Sequence, residues 1–252
     1  MPKVLCSFCG IQKDRGKEHM WPDWLLKHLN FHSMDLSGTH YALSGKTVSG
    51  RQQNVQSALF GKVCRECNGG WMSQLESKVI PIIKALLETP RSKSSLSQEE
   101  ASVLAVWAFK TAIIRNAATN YRQIVPSAHF RHLYEHRSIP EGIYVDLAFV
   151  NSHHGLSGLQ SQTLAGFVRG VDQVNAAEVQ DGIYNITLAI GSLLLRVICF
   201  QNHAYTVSIP DGLELKIVRI HPSQTAGVSI NLSQTYSHPS QIELDAIFHE
   251  YD

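Results

Sequence analysis

The apolar positions change texture twice along this chain of 252 residues. From Gly70 to Leu87, Leu75, Val79, Ile82, Ile83 and Leu86 recur at helical spacing and predict an amphipathic helix. Pro81 is expected to kink that helix or divide it in two, because it removes a backbone donor. Between Val103 and Ile114 the pattern is apolar nearly all round, which predicts a buried central helix running to about Asn120. Ser97 and Glu100, three residues apart just ahead of it, form a capping box. A shorter helix is expected near Ser127–His136. From Ile143 the helical period gives way to strands at Ile143–Val150, Thr163–Val171, Tyr184–Ile190, Leu193–Phe200, Ala204–Ile209 and Leu213–Ile220, separated by Gly, Asn, Asp and Pro turns. Ser240 and Glu243 are placed to cap a last short helix. Short links between successive strands favour antiparallel pairing, so the fold class expected is α+β.

The front of the chain is less regular. Pro22 starts a short helix, Asp23 to Leu29, with Trp24, Leu25 and Leu29 on one face. Residues 30–60 are rich in Ser, Gly, Gln and His, with weak extended stretches at Tyr41–Val48 and Val55–Phe60 that suggest a hairpin or an irregular insertion. The polar run from Thr89 to Ser95 is the natural linker. Two domains are expected, 1–90 and 96–252, the second with a mostly antiparallel sheet.

Charge sharpens that division. Residues 1–95 carry 13 Lys and Arg against 7 Asp and Glu, although the whole chain is formally only +1. A basic front and an acidic back suit a polyanion partner at the front, nucleic acid above all. The most apolar run, Val103 to Ile114, is interrupted by Lys110 and is too short to span a bilayer, so no membrane partner is expected. Met1-Pro2-Lys3 leads on without an apolar signal region. Of five cysteines, four sit in two close pairs, which suits a reducing compartment, and the cytoplasm is the expected location. Cys199, inside an apolar run, is expected to be a small core residue.

The pairs are Cys6-Ser7-Phe8-Cys9 and Cys64-Arg65-Glu66-Cys67. Four thiolates at this spacing can close a tetrahedral zinc site, and with no position left for water its role is structural. The 54 residues between the pairs must form a substructure whose ends the metal would hold. Glu18 and His19 follow the first pair, and Asn68 follows the second. A carboxylate and an amide oxygen suit Mg²⁺ or Mn²⁺, and a nearby imidazole could take a proton from water. Neighbouring residues on a strand point to opposite faces, however, so Glu18 and His19 need a local twist to act together. Plainer readings stand beside these. His19 could be a packing histidine, Glu18 a helix-flanking charge, and Asn68 an N-cap. Glu76 is either a carboxylate supporting the site or an exposed helix charge, the exposed charge being slightly favoured. Trp21 and Trp24 are expected in the core, and His132 with His136 on a solvated helix face.

Cys-x2-Cys-Gly, then Glu18-His19-Met20-Trp21-Pro22, then Cys64-x2-Cys67-Asn68-Gly69-Gly70-Trp71 resembles the zinc-containing HNH, or ββα-metal, nucleases. The likeness covers residues 4 to about 88 and is greatest to the branch with Glu before the histidine. It implies a treble-clef-like front domain with structural zinc on Cys6, Cys9, Cys64 and Cys67. It further implies His19 as general base, Glu18 and Asn68 as ligands of a catalytic Mg²⁺ or Mn²⁺, and DNA phosphodiester hydrolysis as the activity. Asn54 is the nearest match to the family's middle asparagine. Trp71 and Met72 stand where a lysine is common, and no Gly-Gly follows the His-x-x-Pro segment. Those departures define the alternative, a zinc-stapled nucleic-acid- or protein-binding module with a degenerate, inactive site. The rear domain bears no readable motif; a regulatory ligand or a homo-oligomer contact is expected there, in a setting such as phage defence.

Overall fold

A computed structural model describes residues 2–41, 47–88, 93–118, 123–151, 155–161, 183–200, 207, 209, 216–222 and 227–229. Its order begins with a small ladder, β1 (Lys3–Leu5) against β2 (Gln12–Asp14), which carries the first cysteine pair in its turn. Next come β3 (Glu18–His19) and the short helix α1 (Asp23–His28). A ribbon of β4 (Asp35–Tyr41) and β5 (Thr47–Asn54) follows, then β6 (Leu59–Phe60), which pairs antiparallel with β3. The expected insertion is therefore a hairpin, but its strands lie largely outside the two weak stretches, the second of which holds a single helical turn (Val55–Ser57) and β6. Asn54 ends it as a turn cap, its side chain accepting from the Gln56 N–H at 3.0 Å, so its local role is to close the ribbon.

The second cysteine pair opens α2 (Arg65–Cys67), and a loosened turn over Asn68–Met72 carries the chain into α3 (Ser73–Leu87). The break expected at Pro81 lies instead at Gly70, whose backbone (φ −93°, ψ −110°) is not helical. Pro81 sits on the exposed side of an unbroken α3, where water can satisfy the carbonyl that lost its donor.

β7 (Ser95–Ser97) leads into the central helix α4 (Gln98–Ala118). The capping box forms as read: the Ser97 N–H donates to Glu100 Oε2 at 2.9 Å, and the Glu100 N–H donates to Ser97 Oγ at 3.2 Å. α5 (Ser127–His136) ends at Arg137, which adopts the left-handed conformation. The rear strands are β8 (Ile143–Phe149), β9 (Leu156–Ser161), β10 (Ile183–Ile190), β11 (Leu193–Phe200), β12 (Ile217–His221) and β13 (Gly227–Ser229). Five of them form one antiparallel sheet in the order β12-β8-β11-β10-β9, while β13 pairs with β7. The end of the supposed linker is thus strand, tied to the C-terminal part of the chain. Strand β9 falls where no strand was expected, because its Gly and Ser content hides the alternation. The expected strand at Thr163–Val171, most of Ala204–Ile209 and the final helix at Ser240–Glu243 lie outside the described residues.

Helices and antiparallel sheets are both present, as an α+β class requires. The two expected domains, however, share one core. Phe8 from the first knuckle meets Phe130 of α5 at 5.2 Å between ring centres, and Trp24 of α1 meets Trp107 of α4 at 6.3 Å. A single apolar cluster runs from Cys6 and Trp21 through α4 to Leu195 and Val197 on the inner face of the sheet. On the sheet's other face, Asp146 accepts from Arg196 and Arg219, each at 2.8 Å. Burial pushes the Asp146 carboxyl up, but the two guanidiniums outweigh it and hold the group below its usual range. Cys199 is fully buried, as expected, and burial pushes its thiol up to about 12.

Candidate metal centre and adjoining basic cleft

The four cysteines close into one buried cluster. Their sulfurs all lie within 4.8 Å of one another, and Cys9 Sγ is 3.9 Å from Cys64 Sγ. A tetrahedron with Zn–S bonds of about 2.3 Å has an S···S edge of roughly 3.8 Å, so the spacing fits zinc with little adjustment. Backbone donors are already turned to the sulfurs: the Cys64 N–H reaches Cys6 Sγ and the Cys67 N–H reaches Cys64 Sγ, both at 3.4 Å. Burial pushes the Cys9 and Cys67 thiols up, and a cation is what would favour their thiolate forms. The donor chemistry therefore fits a structural metal such as zinc.

The strand after the first knuckle runs along the start of the helix. The Gly16 N–H donates to the Val63 carbonyl at 2.8 Å. A side chain at Gly16 would meet the Cys64 carbonyl at 3.1 Å and the Asn68 Cβ at 3.2 Å, so glycine is what permits the approach. From there burial alternates: Gly16, Glu18 and Met20 are buried, whereas Lys17 is exposed and His19 half-buried. Glu18 and His19 therefore leave opposite faces, as strand geometry demands.

Glu18 faces inward to a cluster that no pattern along the chain foreshadows. Its Oε1 accepts from Lys110 Nζ at 3.1 Å, and Glu76 Oε1 accepts from the same ammonium at 2.6 Å. Glu76 also accepts from the Trp107 indole N–H at 2.9 Å and from the Trp24 indole N–H. Glu76 is thus the hub of a part-buried network, and the exposed-charge reading is corrected. Trp21 is in the core; Trp24 contributes a hydrogen bond as well as packing. Burial pushes Lys110 down, yet Glu18 and Glu76 outweigh it and raise it above the ordinary lysine range.

Asn68 is helical (φ −64°, ψ −55°), and the N-cap of that turn is Cys64, so the N-cap reading of Asn68 does not hold. Its side chain takes no hydrogen bond from the described residues. It lines an open cleft of about 480 Å³ with Arg15, Gly16, Lys17, Arg65 and Gly69. His19 Nδ1 is buried without a hydrogen-bond partner among the described residues. A buried polar atom left unpaired calls for an explanation, because it costs the desolvation of that atom.

A catalytic Mg²⁺ or Mn²⁺ can be tested against these donors. Glu18 has given Oε1 to Lys110, while Oε2 accepts from no described residue, and Asn68 keeps its amide oxygen. Each is an oxygen of the kind a hard cation takes, but Asn68 lines the cleft whereas Glu18 lies on the inward face of β3 and is not among the residues that line it. Arg15, Lys17, Arg65 and Lys110 went unnoticed in the sequence as site residues. Only the basic residues beside each knuckle gave a hint, through the positive charge of the front. No helix among the described residues is long and apolar enough to cross a membrane. No family pattern, curated protein or solved structure matches the chain.

Proposed function

We infer that this protein is an endonuclease of HNH type that hydrolyses phosphodiester bonds in DNA, on a zinc-stapled ββα platform of treble-clef kind. The observation that carries the reading is His19. It ends β3 with a buried Nδ1 that has no hydrogen-bond partner among the described residues, two residues after Lys17, which lines the basic cleft. The β3–β6 pair followed by α2 and then α3 supports a ββα reading. Arg15, Lys17 and Arg65 receive the phosphate backbone, since phosphate contacts position a nucleic acid without reading its sequence. His19 accepts the proton of the attacking water, a contribution worth roughly 10²–10⁴-fold in general-base catalysis. Glu18 and Asn68 would hold Mg²⁺ or Mn²⁺, which when bound supplies stabilisation of the charge that builds on the scissile phosphate.

One observation favours a second reading. Lys110 engages Glu18 directly, as a degenerate site in a nucleic-acid-binding module would allow. Plasmid cleavage separates the two. Purified protein in Mg²⁺ or Mn²⁺ is expected to nick or linearise supercoiled DNA, and His19→Ala is expected to abolish this with zinc content unchanged. Cleavage that survives His19→Ala removes His19 as the base. Binding without cleavage on any nucleic acid supports the module.

A further inference from the structure

The cluster of Glu18, Lys110 and Glu76 joins the carboxylate expected to bind a divalent cation to the central helix of the rear half. We propose that Lys110 is the resident cation of the Glu18–Glu76 pair and keeps the divalent-metal affinity of the nucleic-acid-free protein low. This rests on the reading of Glu18 as a metal ligand. The ammonium lies 3.1 Å from Glu18 Oε1 and 2.6 Å from Glu76 Oε1, on a side chain only 2% exposed. It rises from the middle of α4, with Trp107 and Phe109 fully buried beside it in sequence. Glu76 cannot turn away to release it, because the indoles of Trp24 and Trp107 hold both of its oxygens.

The charge balance gives the consequence. Two carboxylates and one ammonium leave the cluster a single negative charge, and affinity for hard divalent cations follows the count of charged ligands. A cation on the second oxygen of Glu18 would also stand close to the ammonium, in an interior where repulsion is screened less than in water. Free protein therefore lacks the negative charge that tight Mg²⁺ or Mn²⁺ binding needs. The phosphodiester laid in the cleft of Arg15, Lys17 and Arg65 brings it. Metal and nucleic acid then bind together, each raising the affinity for the other. Lys110 is a positioning residue in this scheme: it touches Glu18 and leaves the reacting atoms to others.

The test is Mn²⁺ titration of the full, zinc-loaded chain without nucleic acid, with free Mn²⁺ read by electron paramagnetic resonance. Lys110→Met is expected to tighten Mn²⁺ binding by roughly tenfold or more, and adding Glu18→Gln is expected to remove that gain. If Lys110→Met fails to fold, Lys110→Gln, which removes the same charge and keeps a donor for the two carboxylates, carries the same expectation. A folded variant with wild-type or weaker Mn²⁺ affinity overturns the proposal, as does a gain that persists with Glu18→Gln. The nuclease reading fails separately. Protein that behaves as expected with Mn²⁺ and cuts nothing loses only the nuclease assignment, whereas His19-dependent cleavage with an unaltered Mn²⁺ response to Lys110→Met loses only this one.

Discussion

Truncating Glu76 to alanine tests whether the part-buried network is a structural hub. The substitution strips the 2.6 Å partner from Lys110 and leaves the indole N–H groups of Trp107 and Trp24 without an acceptor. Breaking one partner out of a buried ion pair costs about 3–5 kcal/mol, and each orphaned buried donor about 1–3 kcal/mol. These costs overlap, since Lys110 keeps Glu18 and water can enter the gap left beside a partly exposed residue. A net loss of about 4 kcal/mol is expected, which for a chain of this size lowers Tm by roughly 8–16 °C. Glu76→Gln retains an acceptor for the indoles and loses only the charge, so it is expected to fall between. Lys78→Ala, exposed on the same helix, is the control and is expected to stay within about 0.5 kcal/mol of wild type. Thermal unfolding of zinc-loaded protein, followed by far-UV circular dichroism, reads all three. A Glu76→Ala melting temperature no lower than that of Lys78→Ala would return Glu76 to an ordinary helix charge and refute the hub.

Removing zinc should reach well beyond the front. Structural zinc contributes on the order of 10–16 kcal/mol in small metal-nucleated folds, against a total stability of about 5–15 kcal/mol for a typical domain. Because Phe8 and Phe130 pack in one core, a strong chelator or Cys64→Ser is expected to abolish cooperative melting of the rear helices too. A rear half that melts unchanged would show that the halves fold independently. The buried His129, hydrogen-bonded to the Tyr184 hydroxyl at 2.8 Å, gives a pH signature. Burial, with a lesser push from His132, lowers its pKa to about 4, so the folded state holds it neutral where the unfolded chain, titrating near 6.5, binds a proton. Its contribution is complete above about pH 6.5 and is lost as pH falls towards 4, by about 3 kcal/mol in all. His129→Gln is expected to flatten that part of the stability-against-pH curve, and a curve that keeps its full slope there would contradict the assignment.

What could be read from the sequence was local in the chain. The cysteine pairs, the Ser97–Glu100 capping box and the amphipathic period of α3 each specify their structure within a few residues, and each appears where that chemistry places it. Gly70 and Pro81 show where local reading stops. Proline removes a donor whatever surrounds it, but whether the helix breaks depends on which face it occupies. The network around Glu76 joins residues 31 to 92 positions apart, and no periodicity links them. Lys110 registered in the sequence only as an interruption of an apolar run.

A polar residue interrupting an otherwise all-apolar helix is itself informative. A lysine that is 1% exposed must be paired, or its ammonium would be desolvated without compensation. The sequence therefore required carboxylates to meet Lys110 from elsewhere in the chain. Acidic residues are few ahead of α4, with only 7 before residue 96. Glu18, on the inward face of β3, and Glu76, on the helix leaving the second knuckle, are two that the fold turns inward. The same constraint acts on function. Pairing Glu18 with an interior lysine compensates the ammonium buried in the shared core, yet it takes from the proposed metal site part of the charge that would make it bind. In this chain the residue that unites the two halves and the residue that sets the electrostatics of the proposed catalytic site are one and the same.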